Sequence, residues 1–427
     1  AGKWRWSSLL EAFQNAIKVA DNRKKLLYTL GLLLVFRVGA YIPVPGVNTA
    51  EIAKHLGGNN IFGLLDMFAG GALSRFTIFA LGVNPYITSS IILQLLTVVI
   101  PSLEELAKEG AEGHKVIAKY TRWGTLVLGL FQAFGITMTI RQYVTDDLLP
   151  YNWTLAMILL TLTAGTCFLM WLGEKISEQG IGNGISLIIF TGIVARLPWG
   201  ISNTIKSVGE GGISVWNVAL FAVISVATIA AVILVQEAQR RIPVHYAKRV
   251  VGRRVMGGQS THIPLRLNSA GVIPVIFASS VLAFPQTLAM FIPALQKYEH
   301  LFGFRSVLYN VIYVILIIFF TYFYTAVTFN PVEVANNIKK YGGFIPGIRP
   351  GKPTAEYLEK VLTRITLVGA FFLAGIAIMP YLVSGLTRVT SIYWGGTSLL
   401  IVVGVALDTM KQLETSLVMR NYEGFIK

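Results

Sequence analysis

The stretch Asn60-Ile61-Phe62-Gly63-Leu64-Leu65-Asp66-Met67-Phe68-Ala69-Gly70-Gly71 decides how this chain is built. Ile61, Leu64, Leu65 and Phe68 stand at the i, i+3, i+4, i+7 spacing of one helical face. Asn60 suits an N-cap, and Gly70-Gly71 suits a break. A helix over 60–71 would rise only about 18 Å, whereas crossing the ~30 Å hydrocarbon layer takes about 20 residues. Two readings follow. The helix either lies in the membrane surface as an amphipathic segment, or enters a protein cavity and stops. A cavity is the only place where irregular backbone is tolerated at membrane depth.

On either side of this stretch lie apolar runs that are long enough to cross. They cover 26–42, 75–100, 123–140, 155–172, 181–197, 215–235, 270–292, 307–329, 365–383 and 392–410, the fifth being short and interrupted by glycine at its start. Of the 427 residues, 54% are hydrophobic and only 13% are charged, with mean hydropathy +0.62. A soluble domain carries roughly 25% charged residues, so the chain reads as one helical membrane domain, 1–427, with no separate soluble unit. The single cysteine, Cys167, sits in an apolar run and excludes both an intramolecular disulfide and a cysteine-based metal cluster. No cleavable signal peptide is expected, because the first 25 residues are basic and amphipathic and the following run is long enough to remain as a span.

Basic residues in short loops are retained on the cytoplasmic side. The N-terminal segment, the even-numbered connections and the C-terminal tail hold 27 of the 36 Lys and Arg, against eight in the odd-numbered connections, with Arg37 inside the first span. Both termini are therefore expected in the cytoplasm, and the net charge of +15 is expected on one face, where it also attracts anionic membrane lipid. Two connections are longer and more basic than topology requires. The loop 237–268 holds Arg240, Arg241, Lys248, Arg249, Arg253, Arg254 and Arg266; the loop 330–364 holds Lys339, Lys340, Arg349 and Lys352. Long loops of this kind are usually functional, here as a platform for an acidic or RNA-containing partner. In Pro346-Gly347-Ile348-Arg349-Pro350-Gly351 the prolines fix φ and the glycines permit tight turns, which sets Arg349 on a rigid tip.

Ten spans divide into halves at 26–197 and 215–410, joined by a connection at 198–214, and an odd number of spans per half inverts the second relative to the first. Inverted halves commonly enclose a pathway. Transporters and pumps place ionisable groups near mid-membrane, but here only Arg37 and Asp408 qualify, and both suit structural roles near span ends. There is no His-Glu-x-x-His, no Gly-x-Ser-x-Gly and no paired membrane aspartate, so neither catalysis nor a metal or cofactor is expected. Isoleucines recur instead: Ile87 and Ile91, Ile185 and Ile189, then Ile276 and Ile401, and the pairs four apart share a helical face. Such residues ordinarily face lipid or core; were they to converge, they would form an apolar gate that keeps out water and ions.

Several strings carry a resemblance: Tyr41-Ile42-Pro43-Val44-Pro45-Gly46, Asn84-Pro85-Tyr86-Ile87-Thr88-Ser89-Ser90-Ile91-Ile92-Leu93-Gln94-Leu95-Leu96, Gly180-Ile181-Gly182-Asn183-Gly184-Ile185-Ser186, Gln259-Ser260-Thr261-His262-Ile263-Pro264-Leu265, Ala270-Gly271-Val272-Ile273-Pro274, the Arg349 loop, and Gly395-Gly396-Thr397-Ser398-Leu399-Leu400-Ile401. In this order, across almost the whole chain, they resemble the SecY family of protein-conducting channels, and its bacterial form in particular. The resemblance implies an all-α fold of ten spans in two pseudo-symmetric halves with a re-entrant plug helix, in the bacterial plasma membrane.

It also implies roles for particular residues. Ile87, Ile91, Ile185, Ile189, Ile276 and Ile401 become a pore ring, and 60–71 becomes the plug. A lateral gate is implied between the second and third spans on one side and the seventh and eighth on the other, with Gln94 and Ser279 as candidates for polar contacts across it. The basic loops, through Arg240, Arg241, Lys248, Arg249, Arg253, Arg254 and Arg349, become docking surfaces for the SecA ATPase or a ribosome. SecE and SecG are implied as membrane partners, and secretory and membrane protein precursors as cargo. Two other readings predict different features: a small-molecule secondary transporter needs a polar site at mid-membrane, and an insertion scaffold without a pore rests on the short amphipathic helix alone.

Overall fold

The structure, a computed structural model, describes residues 20–49, 51–52, 66, 69–144, 150–210, 212–246, 249–251, 254–256, 260–291, 306–387 and 396–423. Its helices are α1 (Ala20–Gly39), α2 (Asn84–Val99), α3 (Pro101–Lys108), α4 (Ala111–Thr139), α5 (Tyr151–Gln179), α6 (Gly184–Val194), α7 (Leu197–Gly209), α8 (Val215–Glu237), α9 (Ile273–Phe291), α10 (Val307–Thr328), α11 (Pro331–Lys340), α12 (Lys352–Thr387) and α13 (Gly396–Glu423). A helix overlaps each of the ten apolar runs. Among the described residues, five stretches are long and apolar enough to cross a membrane: Asn152–Gln179, Gly184–Gly209, Val215–Glu237, Val307–Lys340 and Lys352–Thr387. The pair α2 and α3, bent by 101°, makes a sixth if it is one span. The bend has a local cause: Ile100 precedes a proline and adopts an extended conformation, which ends α2 and lets Pro101 start α3.

Two boundaries differ from the sequence reading. The second apolar run was expected to be helical from residue 75, but 69–83 forms tight turns and the helix starts only at Asn84. Pro85 in the first turn of α2 favours that start, while Gly70, Gly71 and Gly82 at positive φ bend the chain before it. The buried turns satisfy their own backbone, with Val44 N–H donating to the Phe76 carbonyl at 3.0 Å and Ile78 N–H to that of Ile42 at 3.0 Å. The fifth run yields the short α6, and α7 then occupies most of 198–214, which had been read as a plain connection.

Phe79 locks the irregular stretch to the bundle. It is buried, stacks on Phe36 and Phe168 with ring centroids 6.1 and 6.0 Å away, and fills the space left by Gly39. Beside it, Gly165 of α5 lies so close to the Ile78 carbonyl oxygen that a Cβ would collide with it. Alanine gains about 1 kcal/mol of helix propensity over glycine, but forcing backbone apart in a packed interior costs about 1–3 kcal/mol or more. Gly165→Ala is therefore expected to lower the thermal midpoint of the purified protein in detergent by several degrees; an unchanged or raised midpoint contradicts this packing.

The all-α expectation also needs correction, because the two long basic loops fold together into a small sheet. The strand β1 (Gln239–Tyr246) pairs antiparallel with β4 (Ser260–Arg266) on one side and with β5 (Gly343–Phe344) on the other, while β2 (Arg249–Val251) and β3 (Arg254–Met256) form a separate ribbon. In β1 the buried Ile242 and Val244 alternate with exposed neighbours, the period-two pattern of a strand with one covered face. Ile242, Val244 and Leu265 pack with Ile338 of α11, Ile345, and Leu358, Val361 and Leu362 of α12. The reason is physical: a segment that leaves an apolar bundle for water must still pair its backbone and cover its branched side chains.

Candidate functional site

The six isoleucines come from four helices. Ile87 and Ile91 lie on the buried face of α2, Ile185 and Ile189 on α6, Ile276 on α9 and Ile401 on α13. Helix α6 begins at Asn183, whose side chain accepts the Ser186 N–H at 3.1 Å, and its two isoleucines follow one turn apart. Five of the six are buried, Ile401 completely, and they belong to one continuous apolar cluster. Ile185 is partly exposed at its edge, lying over Gly173 of α5, where a Cβ would meet its Cδ1. Around them the cluster adds Val83, Leu187, Ile188, Phe277, Leu400 and other apolar side chains, a core without charge.

Helix α9 packs against both α2 and α4, so the seam between the second and third runs and the seventh is in contact. Gln94 and Ser279 do not join across it. The Ser279 hydroxyl donates to the Ile276 carbonyl of its own helix at 2.8 Å, and the Gln94 amide reaches Ser90 Oγ, also on its own helix, at 3.5 Å. A short hydroxyl reaches a carbonyl one turn back without any rearrangement, and that local bond wins over a distant one.

Of the segment 60–71, Asp66, Ala69, Gly70 and Gly71 are described; Asn60, Ile61, Phe62, Gly63, Leu64, Leu65, Met67 and Phe68 lie outside the described residues. Asp66 is buried, its Oδ2 2.9 Å from Arg196 Nη2, while its Oδ1 accepts the Ser74 N–H at 2.8 Å. Its main-chain carbonyl accepts the Gly71 N–H at 2.9 Å. Arg37 reaches the Gly70 carbonyl at 3.4 Å and the Tyr41 hydroxyl at 3.1 Å. Gly70, at φ +66°, lies against Gly192 of α6, whose Cα would be 2.7 Å from an added Cβ. Arg196 was not singled out from the sequence; a lone acid in the short apolar helix was the available sign that a basic partner exists elsewhere.

Arg240, Arg241 and Arg349 are exposed on the small sheet and the adjoining tip, Arg249 and Arg254 lie on the β2–β3 ribbon, and Lys248 and Arg253 lie outside the described residues. The tip is held from below. Ile345 is buried, Ile348 N–H donates to its carbonyl at 3.0 Å, Gly347 and Gly351 take positive φ, and the Thr354 hydroxyl donates to the Arg349 carbonyl at 2.8 Å.

Residues 77–410 match the SecY family. The chain is 48% identical to the protein translocase subunit SecY of Thermotoga maritima, with 98% of each chain covered. It is 47% identical to that of Streptomyces coelicolor, with 98% of this chain and all of that one covered. Among solved structures, a SecY channel whose plug domain stabilises its closed state superposes with TM-score 0.65 at 19% identity, over 92% of both chains. Canine Sec61 in a ribosome–channel complex superposes with TM-score 0.61 at 18% identity, again over 92% of both. Motif order, helical architecture and full-length identity agree, and the chain belongs to the SecY family of protein translocase subunits.

Proposed function

We propose that an unfolded polypeptide crosses the membrane through this chain at the isoleucine cluster, with 60–71 closing the pathway at rest. The single observation that carries the reading is the meeting of α2, α6, α9 and α13 through buried isoleucines in one uncharged cluster. Apolar side chains around a moving chain resist ion hydration yet make no sequence-specific bond with it. The pathway serves ten crossings in two halves, 26–197 and 215–410, with 198–214 as the hinge between them, both termini in the cytoplasm and the chain in the bacterial inner membrane. Parting of α2 and α4 from α9 and α10 releases hydrophobic segments sideways, favoured by ~0.8 kcal/mol per methylene moved into lipid. Energy comes from SecA or from synthesis on a ribosome docked at the basic sheet and the Arg349 tip, and SecE and SecG are membrane partners. The ribosome reading draws support from the canine neighbour, which is itself a ribosome-bound channel.

A stalled secretory chain carrying a thiol-reactive probe is expected to crosslink to Ile87→Cys and Ile276→Cys, and not to Trp216→Cys, whose side chain is 82% exposed on the outside of α8. Labelling of the three positions alike would remove the pathway from the cluster. A secondary transporter would instead call for a polar site at mid-membrane, and the cluster is apolar throughout.

A further inference from the structure

We propose that Arg196 is a positioning residue that keeps the closing segment in place through its ion pair with Asp66. The proposal rests on the reading of 60–71 as the plug and names the contact that retains it. The chain beyond this segment is fixed. From Ala72 to Val83 nearly every side chain is buried, Thr77 bridges to Pro43, and Phe79 is wedged against Phe36 and Phe168. Gly70 and Gly71, both at positive φ, mark where the fixed part ends, so a plug that leaves must swing about them.

On the movable side the described charged group is Asp66, 4% exposed. Its bond to the Ser74 amide joins the segment to its own return leg, whereas the pair with Arg196, 2.9 Å away, joins it to the rest of the bundle. A buried carboxylate deprived of its cation is better off in water. The seated position is therefore favoured only while Arg196 is present. Arg196 follows the C-terminal turn of α6, where unpaired carbonyls favour a cation. The same helix carries Ile185, Ile189 and Gly192, and Gly192 receives the backbone of Gly70. A displacement of α6 that widens the isoleucine cluster would thereby draw Arg196 away from Asp66. Ring opening and plug release become one event.

The test uses the full chain with its membrane partners in planar bilayers, with resting conductance and transport of a precursor bearing a weakened signal as readouts. Arg196→Ala is expected to raise resting conductance at least roughly tenfold and to admit the weakened precursor, since stranding one member of a buried ion pair shifts an equilibrium by more than that. Arg196→Lys is expected to stay close to the parent. The reversed pair, Asp66→Arg with Arg196→Asp, is expected to close the channel again, which a merely structural role for Arg196 would not produce. If the single variants insert poorly, the reversed pair alone decides: a closed channel supports the latch and a leaky one overturns it. A tight Arg196→Ala channel beside leaking isoleucine variants overturns the latch and leaves the pore standing. Tight channels from both sets overturn the pore reading from which the latch is drawn.

Discussion

Replacing Ile87 and Ile276 together with serine is expected to make the resting channel conduct ions under an applied voltage, with a smaller leak from either change alone. The two side chains come from different helices and are both buried in the same uncharged cluster. A narrow apolar passage excludes ions because water leaves it, and hydroxyls at the constriction supply the partners that let water remain. The choice of two positions follows from magnitudes. Emptying a buried isoleucine site costs about 2–5 kcal/mol, so changing four at once would cost about as much as the 5–15 kcal/mol by which a domain is stable. Two changes leave the fold standing. Ile87→Leu with Ile276→Leu preserves volume and is expected to remain tight, which separates loss of packing from loss of apolarity. Serine variants that leak no more than the parent would sink the ring assignment, most directly if they also run as monodisperse, folded protein.

Arg349→Glu is expected to abolish translocation driven by the motor ATPase, a loss of at least roughly thirtyfold, with insertion and thermal midpoint unchanged. Arg349 is exposed, and the ion pairs found among the described residues do not include it. Reversing such a surface charge changes stability by only about 0.5 kcal/mol. An interfacial charge facing an acidic partner is worth about 2–5 kcal/mol on truncation, and reversal adds repulsion. The rigid tip makes the loss specific, because Ile345 in the core below and the Thr354 hydroxyl on the Arg349 carbonyl prevent the loop from turning the new charge aside. Arg349→Lys keeps the charge and loses the planar fork, so an intermediate rate is expected. Motor-driven transport at the parental rate by Arg349→Glu would exclude Arg349 from the docking surface.

Local signals were legible in the sequence. The helices fall under the apolar runs because length and hydropathy are properties of contiguous residues. Ile87 and Ile91 share the buried face of α2 because residues four apart must. The tip around Arg349 was legible too, since Gly347 and Gly351 at positive φ realise what glycine in that string permits. Where a local pattern was ambiguous, it misled. Residues 75–83 are as apolar as the helix they precede, and hydropathy by itself does not separate buried turns from a span. Gln94 and Ser279 were placed across a seam, but each found a bond on its own helix.

By itself, then, the sequence determined a helical membrane chain, its family and the isoleucine set, all of which depend on composition, period and the order of motifs. Tertiary structure alone decided which distant pieces meet. It joined two separate basic loops into one sheet through the register of Ile242 with Ile263 and of His245 with Phe344, started α2 at Asn84, and brought Asp66 to Arg196 and Gly70 to Gly192. The physical reason is the same in each case. A strand edge, a buried carboxylate or a bare glycine has a need that its neighbours in sequence cannot meet, and many residues elsewhere could meet it. Only the packing of the helices selects one.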